Sequence, residues 1–311
     1  MKFAMVFPGQ GSQSVGMMAG YDPYPLVRQT FIEAGQVLAQ DLWTLVADGP
    51  PEEINQTVNT QPLMLTADVA VYRAWRAAGG PDPDIAAGHS LGEYAALVVS
   101  GALEFAAALP LVRFRAQAMQ DAVPAGTGAM AAVMGLDDET LAAICAEAAQ
   151  GQIVEPVNFN APAQIVIAGH RGAVERAIAL AKTRGAKRGL LLPVSAPFHS
   201  SLLKPAAERL ADYLARVEIG VPSIQILHNV DTRSAATPAA VRDALARQAA
   251  SPVRWADTMR AFAADGVTHI VECGPGMVLT GLARRTVPEL AVHAANDGDA
   301  LAAALAAIAA A

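Results

Sequence analysis

The chain has 311 residues, 53% of them hydrophobic and 16% charged, enough to bury a large core in one large or two unequal domains. A net charge of −7 excludes nucleic acid as the main partner, because neutralising phosphates takes a basic surface. The two cysteines, Cys145 and Cys273, form no CxxC pair and no His–Cys cluster, so no metal is expected and a reducing compartment is the natural setting.

In chain order, Phe3 to Phe7 is an apolar run that predicts a buried strand ended by Pro8. It is too short for a signal peptide, and no later stretch reaches membrane length, so a cytoplasmic protein without a membrane partner is expected. The loop Gly9-Gln10-Gly11-Ser12-Gln13 follows. It lacks the third glycine of a dinucleotide fingerprint. Gly11 to Gly16 has phosphate-loop spacing, but Met17 and Met18 stand where Lys and Ser/Thr are required. Two readings remain, a plain turn or a bare backbone that approaches a reacting group and offers it an N–H.

Helical patterns cover Tyr24 to Gln40, Leu42 to Ala47 and Asn59 to Ala78, the last apolar on most faces and therefore central. The next stretch organises the chain. Ile85 to Ala87 reads as a buried strand, Leu91 opens a helix, and between them stands Gly88-His89-Ser90-Leu91-Gly92. A serine at so sharp a strand-to-helix turn has a strained backbone, and its neighbours approach too closely to carry side chains. The turn lifts the hydroxyl clear of the sheet, beside unpaired N–H groups at a helix start that can hold an oxyanion. Ser90 is the candidate nucleophile.

A helix from Glu104 to Gln120 carries Arg113 and Arg115, two positions apart and so on different faces; Pro110 within it predicts a kink or a fresh start. Residues 129–195 then run strand, helix, strand, strand, helix, strand, the ferredoxin-like order. The expected architecture is an α/β-hydrolase-like parallel-sheet core (residues 1–126 and 198–311) with an inserted ferredoxin-like (βαββαβ) subdomain at 127–197. Beyond it, Ile224 to His228 and His269 to Cys273 predict two further buried strands.

A serine hydroxyl needs a base, and imidazole is tuned for that near neutral pH. Of six histidines, His89 adjoins the serine but its side chain is expected to point away; His170 lies in the insertion; His228 and His269 sit by apolar strands; His293 is late and featureless. His199, in the loop Pro197-Phe198-His199 at a domain junction and helix start, is the candidate base. No acid between Ser90 and His199 is well placed, since Asp137, Asp138, Glu139 and Glu155 fall in the insertion. The arrangement expected is a dyad whose histidine is held by a carbonyl.

Phe7-Pro8-Gly9-Gln10-Gly11-Ser12-Gln13, Gly88-His89-Ser90-Leu91-Gly92-Glu93, an arginine about 25 residues on, Pro197-Phe198-His199 and Gly274-Pro275-Gly276 occur in that order. Together they resemble the malonyl-CoA:acyl carrier protein transacylases, an acyltransferase family of fatty-acid and polyketide synthesis. The resemblance implies malonyl transfer from malonyl-CoA to the phosphopantetheine thiol of a holo acyl carrier protein, through an ester on Ser90, with no cofactor. It implies oxyanion N–H groups from Gln10 and Leu91. It makes Arg115, in register with Met119 to Pro124, the partner of the malonyl carboxylate, and it makes the main-chain carbonyl of Gln248 the support of His199. An acetyl group would leave that arginine unpaired, and Phe198 would crowd a branched acyl group.

Carrier proteins are acidic, so docking on this acidic chain calls for a local basic patch; Lys182, Arg184, Lys187 and Arg188 cluster near the domain junction. A monomer is the expected state. Three other readings are a polyketide-synthase acyltransferase or the malonyl-transferring subunit of a malonate decarboxylase, a serine hydrolase, and a binding module without catalysis.

Overall fold

The computed structural model describes all 311 residues. The chain lays down nine strands: β1 (Phe3–Phe7), β2 (Ile85–Gly88), β3 (Gly128–Met134), β4 (Val154–Ala161), β5 (Gln164–His170), β6 (Arg188–Leu191), β7 (Gln225–Ile226), β8 (His269–Glu272) and β9 (Ala291–Ala294). Five form one sheet in the order β7-β2-β1-β8-β9, every neighbouring pair parallel. Such a sheet needs helices on both faces, which is why β1 and β2 read as unbroken apolar runs and are buried at every residue.

Helices supply that cover. Thr57–Ala77, with 15 of its 21 residues buried, runs through the interior and packs against Pro25–Leu38 and Phe105–Asp121. Pro62 is tolerated near its start, where one backbone bond is lost. Pro110 likewise opens no new helix. Phe105–Asp121 runs unbroken through it, because only the carbonyl of Ala106 loses its intrahelical donor while tertiary packing holds both sides.

The other four strands form a separate antiparallel sheet, order β4-β5-β3-β6, and the helices Asp138–Ala149 and Arg171–Thr183 join it in a core of 15 residues between Ala129 and Ala181. This is the ferredoxin-like arrangement read from the element order.

Three local expectations need correction. The run Ile224 to His228 pairs over only two residues, after which the chain leaves the sheet. Arg188 to Val194 reads in the sequence as one strand, but β6 ends at Leu191, and Leu192 and Val194 pack against the main core. β9 carries no strong apolar signal and was not foreseen; it pairs parallel with β8 at the sheet's edge.

Register fixes the functional end. Phe7 lies beside Gly88, and Val6 beside Glu272. The loops that follow β1, β2, β7 and β8 therefore open on one side, around the central strand from which the sheet grows in both directions. Open parallel sheets keep their ligands at such a switch point.

Candidate active site

Ser90 stands between β2 and the helix Gly92–Val99 with φ of 52°, in the left-handed region that ordinary residues avoid. The flanking glycines are required by contact. A Cβ on Gly88 would sit 1.8 Å from the carbonyl carbon of Gly92, and one on Gly92 would sit 2.1 Å from the oxygen of Phe7. A Cβ on Gly9 would lie 2.4 Å from the oxygen of His89, so the bare backbone of the first loop packs on the serine turn.

The serine hydroxyl meets the imidazole. Ser90 Oγ lies 2.7 Å from His199 Nε2, and His199 Nδ1 lies 2.9 Å from the carbonyl oxygen of Gln248. The carbonyl can only accept, so Nδ1 carries the proton and Nε2 is left as the acceptor for the serine. Burial, then the nearby charge of Arg115, push His199 down to about 3 despite the opposing hydrogen bond that Nδ1 donates to the Gln248 carbonyl. The ring is thus neutral across the physiological range, with the lone pair of Nε2 facing the serine hydroxyl.

Arg115 is 2% exposed and projects from the Phe105–Asp121 helix into the same hollow. Its Nη2 donates to Ser90 Oγ at 3.0 Å and to Gln248 Oε1 at 2.8 Å, while Nη1 donates to Gln61 Oε1 at 2.8 Å. Every partner is neutral, and no carboxylate pairs with it. Arg113, on the other face, donates to Leu38 and Gln40. The guanidinium sits directly against the Ser90 hydroxyl, and its amide partners soften the cost of leaving it without an anion.

One hollow is lined by Gln10, Gln61, His89, Ser90, Leu91, Arg115, Phe198 and His199, with Met130, Asn158, Leu192 and Val194 facing them from the small sheet's side. The main-chain N–H groups of Gln10 and Leu91 make no main-chain bonds and remain available to a ligand oxygen. The side chain of Gln10 is held by Thr57. Phe198 is buried on the wall beside His199. His89 does not turn away as expected: it lines the hollow, packs on Trp255 and meets Asn160 Oδ1 at 2.9 Å. Lys182, Arg184, Lys187 and Arg188 are exposed together at the far end of the small subdomain's second helix and on β6, and Arg184 is paired with Glu147.

Sequence reading missed a buried polar hub. Glu93, fully buried in the first turn after Ser90, meets His228 Nδ1 at 2.7 Å through Oε1. Through Oε2 it accepts from Asn229 N and Gln248 Nε2, each at 2.9 Å. Burial alone would lower His228, but the hydrogen bond and charge of Glu93 outweigh it and raise the imidazole. Gln61 gives no distinct signal in the sequence, because its helix also buries Thr57, Thr60, Thr66 and Asp68. Glu93, His228 and Asn229 carry no local signal either, because they meet Gln248 only where three separate segments converge.

Comparison with known proteins places this geometry. A profile of the acyl transferase domain matches residues 4–306. The malonyl CoA-acyl carrier protein transacylase of Escherichia coli is 54% identical over 305 residues, covering 98% of this chain and 99% of its own length. That of Bacillus subtilis is 43% identical, covering 95% and 94%. The crystal structure of acyl-carrier-protein S-malonyltransferase from Burkholderia pseudomallei superposes with a TM-score of 0.97 at 57% identity, over 98% of this chain and 100% of that one. A malonyl-transacylase in complex with a type II polyketide-synthase acyl-carrier protein also gives 0.97, at 51% identity over 99% and 100%.

Proposed function

The chain belongs to the acyl transferase domain family, and on that premise we propose how its residues carry the reaction. It is an acyltransferase that moves the malonyl group from malonyl-CoA to an acyl carrier protein, supplying fatty-acid chain elongation. Ser90 Oγ attacks the thioester carbonyl as His199 Nε2 takes its proton, and the Gln248 carbonyl steadies the resulting imidazolium. The N–H groups of Gln10 and Leu91 hold the oxyanion. Collapse expels the CoA thiolate, which takes the proton from His199 and leaves a malonyl ester on Ser90. The carrier's pantetheine thiol then gives its proton to His199 and attacks that ester, and Ser90 recovers the proton as it leaves. One serine serves two substrates in turn, so the kinetics are ping-pong.

Arg115 pairs with the malonyl carboxylate, a two-pronged, charge-assisted contact that suits guanidinium. In the free protein it already touches Ser90 and two glutamines, so it is in place before the anion arrives. An acetyl group offers no such partner. Phe198, which lines the hollow beside His199, would crowd a methyl branch on the acyl group.

Residues 127–197 serve as the inserted subdomain and 1–126 with 198–311 as the catalytic body, a division supported by the separate small core. The carrier docks on the side that carries Lys182, Lys187 and Arg188, with Arg184 already engaged by Glu147. This placement rests on their exposure and on the continuity of β6 with the pocket wall at Leu192 and Val194. The protein acts as a monomer in the cytoplasm. No helix is long and apolar enough to cross a membrane, and both cysteines are unpaired and buried. The likeness to a transacylase bound to a polyketide carrier favours acceptance of such carriers too.

The observation that carries this reading is one hydroxyl within bonding reach of both His199 and Arg115. Malonyl-CoA without carrier should release one equivalent of CoA per enzyme and then stop. Continuous release of free malonate would assign hydrolysis instead.

A further inference from the structure

Resting on the reading of Ser90 as the nucleophile, we propose that Asn229 is its positioning residue: the Asn229 carboxamide clamps the strained serine turn and so sets the rate of acylation. Asn229 lies just past β7, fully buried, where the chain leaves the sheet. Its Nδ2 donates to the carbonyl oxygen of Gly88 at 2.7 Å, and its Oδ1 accepts from the N–H of Ser90 at 2.7 Å. One flat amide thus spans both sides of the residue pair that makes the turn. The orientation is fixed by chemistry, since each end of the carboxamide meets the one group it can bond.

The clamp is itself anchored. The N–H of Asn229 donates to Glu93 Oε2, which also accepts from Gln248 Nε2. Gln248 in turn donates to the carbonyl of Ser90 and holds His199 through its own main-chain oxygen. Nucleophile and base are therefore referred to one buried carboxylate. Ser90 stands in a backbone conformation that a non-glycine residue keeps only when its surroundings enforce it. Asn229 supplies that enforcement from outside the turn. A second consequence follows from the same bonds: the N–H of Ser90 is already occupied, so the N–H groups left to receive an oxyanion are those of Leu91 and Gln10.

The test is rapid-quench acylation by malonyl-CoA, read by intact mass, for the full chain and the variants Asn229→Ala and Asn229→Asp. Removing the clamp should slow acylation about 100-fold, while the concentration for half-maximal rate moves less than about threefold and the circular dichroism is unchanged. Asp keeps the acceptor for Ser90 but, when ionised, turns a second oxygen toward the carbonyl of Gly88. Protonation restores a donor there. The Asp/wild-type rate ratio should therefore rise about tenfold or more as pH is lowered from about 8.5 to about 5.5. Asn229→Ala acylating within about twofold of wild type would overturn the proposal, as would a ratio that stays flat with pH. Should the alanine variant fail to fold, the pH dependence of the aspartate ratio decides alone. If wild type itself gains no mass on Ser90, the nucleophile assignment has failed rather than the clamp.

Discussion

The catalytic body and the inserted subdomain spend their interiors differently. Every buried polar or charged residue of the chain lies outside residues 127–197, whereas the small sheet and its two helices close over an apolar core that includes Val133, Ile144, Ile165 and Ile167. Parallel strands bring several loop ends to one edge, and polar side chains from distant segments can converge there. In the antiparallel small sheet neighbouring strands run in opposite directions, so its loop ends are split between two edges. It offers the hollow a wall, through Met130, Asn158, Leu192 and Val194. The body supplies Ser90, His199 and Arg115 to the hollow, and the subdomain lines its facing side.

The contrast is sharpest at Arg115. Arg115→Ala should lower kcat/KM for malonyl-CoA about 10²- to 10³-fold and act far less on acetyl-CoA, because only malonyl offers an anion to the lost cation. The same change should alter pH behaviour. With His199 held near 3, the neutral base persists as pH falls, so wild-type kcat/KM should stay level through the range near 6.5 where an ordinary histidine titrates. Arg115 is the second cause of that depression after burial, so its loss should move the acid limb upward. The sign for stability is consistent. The unfolded chain protonates first, so the contribution of His199 is present above about 6.5 and lost as pH falls toward the folded value.

A subdomain lesion should behave in the opposite way. Ile167→Ala, in the centre of the small core, should cost about 2 to 5 kcal/mol of stability in denaturant melts yet leave the acyl preference of the folded fraction intact. A shift in that preference would break the division of labour.

The smallest expected effect lies where the two regions are tied. Glu155, on β4, accepts from the N–H and hydroxyl of Ser201, two residues past His199. Glu155→Gln should reduce kcat about two- to fivefold with KM nearly unchanged, because one of the two bonds loses its acceptor while the base stays anchored by Gln248. Glu155 was set aside in the sequence as an acid in the wrong part of the chain, and so it is for a triad. It acts on the loop rather than on the ring.

What the sequence disclosed follows from steric necessity. Gly88 and Gly92 could be read because a tight turn permits nothing else at those positions. The ferredoxin-like order showed through because each of its elements has a regular period. His199 was identifiable from its place at the junction. The hub around Glu93, and Asn229 within it, stayed hidden because bonds between residues more than 130 positions apart leave no periodic trace. The orientation of His89 was misjudged for a related reason: Trp255 and Asn160, which hold it over the hollow, come from elsewhere in the chain.

The central claim is that one hydroxyl, activated by one imidazole and watched by one guanidinium, carries the acyl group. Intact-mass measurement after malonyl-CoA, followed by peptide mapping, tests it most directly. The account predicts a single malonyl ester on Ser90 in the wild type and none in Ser90→Ala. A malonyl adduct that persists in Ser90→Ala, or maps to another residue, would contradict it.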